Sequence, residues 1–114
     1  MNAMIESQCV EVLEGEVAMT HIPSESGRGQ DVARCPTCLV GLWSYYSGLG
    51  DKISFVRVGT LANPDLVPPD IHIYTNSKQH WVILPDDIPS VPEYYNLKDY
   101  WPKESLLRRK IQMS

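Results

Sequence analysis

The sequence predicts a mainly β domain that ends in a short helix, and three observations carry that reading. Apolar runs over 30–34, 40–46 and 52–59 are separated by turn-forming residues, as in Ser47-Gly48-Leu49-Gly50-Asp51, and such spacing belongs to antiparallel strands. Pro85, Pro89 and Pro92 forbid a regular helix or a central strand between Leu84 and Glu93, because proline lacks the N–H that either ladder needs. From Pro102 onward the charges run in helical order, with Glu104 in a first turn and Arg108, Arg109 and Lys110 in a last one. That order suits the dipole of one short helix.

Taken along the chain, residues 8–15 are rich in Val and Glu14-Gly15-Glu16 offers a turn. Residues 8–15 and 16–22 are therefore expected to pair as an antiparallel hairpin. Cys9 falls on the first of these strands and reads as a small buried hydrophobe. Residues 23–29 crowd Ser, Glu, Gly and Arg into a loop, and a strand over 30–34 leads out of it. Trp43, Tyr45 and Tyr46 mark the strand over 40–46. The run 52–59 is apolar on both faces except for Ser54 and Arg57, so it is expected to be central and covered on both sides.

Asn63-Pro64 and Pro68-Pro69 bracket a single-turn or irregular segment. In residues 70–75, Ile71 and Ile73 alternate with His72 and Tyr74, the period of a half-buried strand. Residues 81–84 read as another short extended piece. Tyr94, Tyr95, Tyr100 and Trp101 are expected to lie along the body of the domain, and Leu107 and Ile111 share one helix face beside Leu106.

Composition narrows the function. At 114 residues the chain is one domain with a single modest core. Hydrophobic residues at 43% and charged residues at 21% are ordinary for a globular protein. A net charge of −4 with no long charge run argues against a nucleic-acid partner, which leans on a basic surface. No apolar run approaches the roughly 20 residues of a membrane-spanning helix, and no basic-then-apolar leader opens the chain. Three cysteines, an odd number, argue against a disulfide framework and for a reducing, cytoplasmic location.

The chemistry concentrates in Arg34-Cys35-Pro36-Thr37-Cys38. Two thiols flanking a tight turn make a knuckle whose sulfurs can converge on one Zn²⁺ at about 2.3 Å each. The flanking strands favour a metal-bearing hairpin tip over a helix start. They also disfavour a thiol-redox couple, which expects its first Cys at a helix N-terminus. Cys35 and Cys38 are thus candidate metal ligands for half a site, since the chain has no second CxxC, CxC or HxxxH.

The other polar candidates read as structural. Arg57 in its apolar strand can present a bidentate fork to an anion, but more often such a residue snorkels or pairs with an acid. His72 can ligate metal or move protons, yet a lone strand histidine is usually hydrogen-bonded structure. Ser77-Lys78 suits an anion or a turn equally, and His21 and His80 have no partner at ligand spacing.

Three stretches in order carry a resemblance: Arg34-Cys35-Pro36-x-Cys38 with its Trp strand, Phe55-Val56-Arg57-Val58-Gly59-Thr60-Leu61, and His72-Ile73-Tyr74-Thr75-x-Ser77-Lys78-x-x-Trp81-Val82. The set resembles the glutathione-dependent formaldehyde-activating family, also called the centromere protein V domain family, from about Met4 to Tyr94-Tyr95. The resemblance implies stacked antiparallel sheets of the zinc-bearing β-tent type, with residues 1–100 as the family domain and 101–114 as a helical tail. It implies zinc as cofactor, glutathione adducts as ligands and a carbon–sulfur lyase activity. Cys35 and Cys38 match the later pair of the family's structural zinc site. The family's CxC pair and CxCxxC cluster, which holds the zinc of the adduct chemistry, have no match, and Leu39 stands where the knuckle often has Gly. The resemblance therefore implies a chain beginning partway through the domain, inactive alone, with a homodimer or a separate N-terminal segment completing it. The alternative is a non-catalytic zinc-binding or interaction module. In either case no nucleic acid and no membrane is expected as a partner.

Overall fold

A computed structural model describes residues 1–24 and 27–114, and it is mainly β with a short C-terminal helix. The strands are β1 (Asn2–Glu6), β2 (Ala18–Ile22), β3 (Gln30–Arg34), β4 (Gly41–Tyr46) and β5 (Ile53–Arg57). They form one five-stranded antiparallel sheet in the order β1-β5-β4-β3-β2. Strands β2 to β5 are a meander, and β1 returns to pair with β5, with Asn2 opposite Arg57 and Glu6 opposite Ile53. The buried apolar side chains, Val32, Ala33, Ile53 and Val58, lie on or just beyond β3 and β5. On β5, Ile53 and its neighbour Ser54 are both buried. Successive residues point to opposite faces, so this end of the strand is covered on both sides, as expected.

Strands β3, β4 and β5 fall where the sequence places them. The amino-terminal hairpin does not form. Residues 7–9 are a 3-10 turn, and 10–17 carry no strand. Ser7 extends the β1–β5 edge instead, through its N–H to the Lys52 carbonyl at 2.9 Å and its hydroxyl to that of Ser54 at 2.9 Å. The apolar residues Ala3, Met4 and Ile5 are half-buried in β1, whereas Val12 and Leu13 are exposed. Poor alternation in 8–15 leaves no face to bury. Cys9 is consequently exposed rather than buried. The loop expected over 23–29 includes residues 25 and 26, which lie outside the described residues.

The strand expected over 70–75 also fails. His72 makes a single parallel bridge to Ser90, donating to the Pro89 carbonyl and accepting from Val91 at 2.9 Å each. Tyr74 then turns left-handed at φ 53°, which ends any ladder. Its 3-10 turn Thr75–Ser77 follows, and Ser77 donates back to the Tyr74 carbonyl at 3.1 Å, so Ser77-Lys78 is a turn. The Nε2 atom of His72 is buried without a hydrogen-bond partner among the described residues, contrary to the satisfied histidine expected. Residues 81–84 are irregular, and Ile83 is 92% exposed.

Two helices close the chain, α1 (Leu97–Tyr100) and α2 (Lys103–Met113), with Pro102 capping α2 rather than opening it. The late aromatic residues form one cluster. Tyr94 and Tyr95 have ring centroids 4.9 Å apart, Tyr95 meets Tyr100 edge-on at 5.5 Å, and Trp101 Nε1 donates to the Tyr95 hydroxyl at 2.9 Å. Burial first, then Tyr95 and Tyr74, pushes the Tyr94 hydroxyl pKa up. Helix α2 turns Leu106, Arg109 and Met113 inward, while Leu107 and Ile111 face solvent.

Helix α2 is held to β1 by Arg108 Nε, which donates to Glu6 Oε1 at 2.8 Å. The backbone N–H of Glu6 first, and Arg108 second, hold this carboxyl below the usual glutamate range. A depressed folded pKa contributes stability that is complete above the unfolded pKa and lost as pH falls through the folded value. Glu6→Gln is expected to cost about 0.5 kcal/mol at neutral pH, the scale of an exposed pair, and to flatten the acid loss of stability. Urea midpoints for both proteins at pH 7 and pH 3 check this; equal differences at the two pH values would refute it.

Candidate metal centre

The site is built on the β3–β4 turn. Strand β3 ends at Arg34 and β4 begins at Gly41, so the six-residue connection 35–40 must reverse the chain. Backbone bonds close it: Cys35 N–H to the Val40 carbonyl at 3.0 Å and Leu39 N–H to the Cys35 carbonyl at 2.9 Å. Arg34 Nη1 donates to the Leu39 carbonyl at 3.0 Å. The reversal requires φ 64° at Leu39, a left-handed conformation that costs a side-chain-bearing residue about 1–2 kcal/mol. Leu39 is thus the strained point of the knuckle.

The turn brings Cys35 and Cys38 together. The Cys38 N–H first, the Thr37 N–H second and the Cys38 thiol third favour the Cys35 thiolate. Together they hold the Cys35 thiol below the usual thiol range, because donors aimed at sulfur stabilise the thiolate. Cys38 is exposed and Cys35 half-buried, so both sulfurs are accessible. The donor set fits half of a tetrahedral zinc shell. It does not fit a whole one, since among the described residues no three His, Cys, Asp or Glu converge to hold a metal. Cys9 lies in the 3-10 turn after β1, away from the knuckle in the chain's order.

Other candidates separate from this site. His21 Nδ1 pairs with Asp31 Oδ1 at 2.8 Å, a contact that follows from their direct opposition across β2 and β3. Sequence spacing concealed it, because the residues are ten apart and only the register aligns them. Among the described residues Arg57 meets no acid; its partners are neutral. Its Nη1 donates to Asn2 Oδ1 at 2.9 Å and its Nη2 to Ser44 Oγ at 2.8 Å. Arg57 thereby ties β5 to both neighbouring strands.

The chain is a small β domain with a two-thiol turn at one hairpin tip. Residues 1–77 match the family model described as glutathione-dependent formaldehyde-activating enzyme; this covers more than half of the chain, and the protein belongs to that family. No curated protein and no solved structure matches the chain. Among the described residues no helix is long and apolar enough to cross a membrane.

Because Leu39 carries the turn's strain, Leu39→Gly is expected to raise stability by about 1 kcal/mol, relief of the left-handed strain being offset in part by unfolded-chain entropy. Leu39→Val, β-branched, should lower it. Chemical denaturation of the three proteins measures both, and a destabilised glycine variant would refute the assignment.

Proposed function

We propose that this chain is a zinc-binding member of the family that holds its metal through Cys35 and Cys38 and does not by itself turn over the glutathione adduct of formaldehyde. The carrying observation is the knuckle: backbone bonds close the 35–40 turn with both cysteines on it, and no third donor converges with the pair among the described residues. Zinc bound there would have its remaining positions filled by water, by a further polypeptide segment or by another copy of the chain. The family domain is taken as residues 1–100 with 101–114 as a tail, acting in the cytoplasm.

The second reading is a carbon–sulfur lyase acting on glutathione adducts, favoured by the family match over 1–77. Such chemistry needs a well-held ion with an open position. The three thiols of the chain do not assemble one here.

Two measurements decide between them. Four-ligand zinc sites are worth about 10–16 kcal/mol of apparent binding free energy in small peptides, and two thiolates capture much less. Elemental analysis after chelator dialysis is expected to find well under one zinc per chain, abolished by Cys35→Ser or Cys38→Ser. One tightly held zinc per chain that survives either substitution would overturn the ligand assignment. The 114-residue protein is further expected to leave the rate of glutathione–formaldehyde adduct formation at the buffer value, with or without zinc. Zinc-dependent turnover lost in Cys35→Ser would establish the lyase reading instead.

A further inference from the structure

The turn that carries the two cysteines is a single turn of helix. Leu39 N–H donates to the Cys35 carbonyl four residues back at 2.9 Å, and Leu39 itself is left-handed at φ 64°. These are the bond and the closing residue that end an α-helix, here without the helix. Residues three apart in such a turn are neighbours on one side, with β-carbons about 5–6 Å apart. Cys35 and Cys38 stand at that spacing, so one ion can meet both sulfurs. Beneath them the β3–β4 ladder shifts: Ala33 pairs with Trp43 but Arg34 with Gly41, so Leu42 is an extra residue on β4. Such a bulge bends its strand, and residues 36–40 beyond it are all exposed.

The surroundings of the sulfurs are poor in hard donors. Among the described residues no His, Asp or Glu joins the pair. The residues that follow, Leu39 and Val40, are apolar and exposed. Zn²⁺ on two thiolates keeps half of its tetrahedral shell to fill. Cu⁺ is soft and monovalent, thiolate sulfur selects it, and its filled d shell is satisfied by a pair of thiolates. A donor set that is half a shell for Zn²⁺ is therefore a whole one for Cu⁺. Two thiolates around Cu⁺ leave one negative charge. The Arg34 guanidinium offsets it from the base of the turn, where Nη1 donates to the Leu39 carbonyl at 3.0 Å.

We propose that Cys35 and Cys38 form a two-coordinate site for Cu⁺, one ion per chain. Two Cu–S bonds form as the two thiols give their protons to solvent, and no electrons move. The site shares its ligands with the zinc reading above and does not rest on zinc being bound.

Anaerobic titration of Cu⁺, supplied as its bicinchoninate complex, into the reduced 114-residue protein tests it. Transfer is expected to saturate at one copper per chain, and X-ray absorption at the copper edge should find two sulfurs per copper. Cys35→Ser and Cys38→Ser should each weaken binding by more than about 100-fold, beyond the loss typical of removing a ligand's outer partner. Cys9→Ser, whose thiol lies in the turn after β1, should leave stoichiometry and affinity unchanged. Zn²⁺ in about tenfold excess should leave the copper bound. Three or four sulfurs per copper, as in a bridged pair of chains, or unaltered transfer to a folded Cys38→Ser protein would overturn the site. Zinc held at one per chain while copper is refused would overturn the copper assignment and leave the zinc reading standing. Copper held on two sulfurs by a chain that takes up no zinc would do the reverse.

Discussion

The guanidinium of Arg57 joins three adjacent strands on one side of the sheet. It sits on β5, reaches Asn2 on β1 with one nitrogen and the buried Ser44 on β4 with another. A buried hydroxyl without a partner costs about 1–3 kcal/mol, so the contact with Ser44 is part of what permits a polar residue in the middle of β4. The Asn2 contact holds the amino-terminal strand to the end of β5, where Val58 N–H donates to the Met1 carbonyl at 3.1 Å. The meander thereby gains its fifth strand.

The same region organises the chemistry. Arg34, Gly41 and the Leu42 bulge close the hairpin from below, and the knuckle rides on top of them. The Arg34 bond to the Leu39 carbonyl stabilises a turn that Leu39 strains, and backbone donors of that turn favour the Cys35 thiolate. Positive charge beside a thiol favours the thiolate, so the cationic base and the sulfur tip are electrostatically compatible.

The carboxy-terminal third behaves differently. After Val58, hydrogen bonds are mostly local turns, joined by one short parallel pairing between 72–76 and 89–93. An aromatic cluster stands in for a second layer of strands, and α2 is fixed to the sheet by Arg108–Glu6 and by Gln112 Nε2, which donates to the Lys52 carbonyl at 3.2 Å. Leu107 and Ile111 point outward because the Arg108 contact and the inward Leu106, Arg109 and Met113 set the helix rotation.

Strands β3, β4 and β5, the knuckle between Arg34 and Gly41, the single turn at Pro64 and the final helix were legible in the sequence, because each rests on neighbouring residues. Apolar runs bounded by Gly and Pro, two cysteines around a short turn, and charges ordered along a dipole are local signals. Tertiary structure alone decided that β1 is Asn2–Glu6 and pairs with β5, a contact between residues 47 to 55 positions apart. It alone broke the alternating Ile71-His72-Ile73-Tyr74 pattern, where a bridge to Ser90 and a left-handed Tyr74 replace a strand. It alone set the bulge at Leu42 and so gathered Arg34 and Arg57 around Gly41. Periodicity records which faces a segment can bury, but register and partner are chosen by surfaces that meet only when the chain has folded.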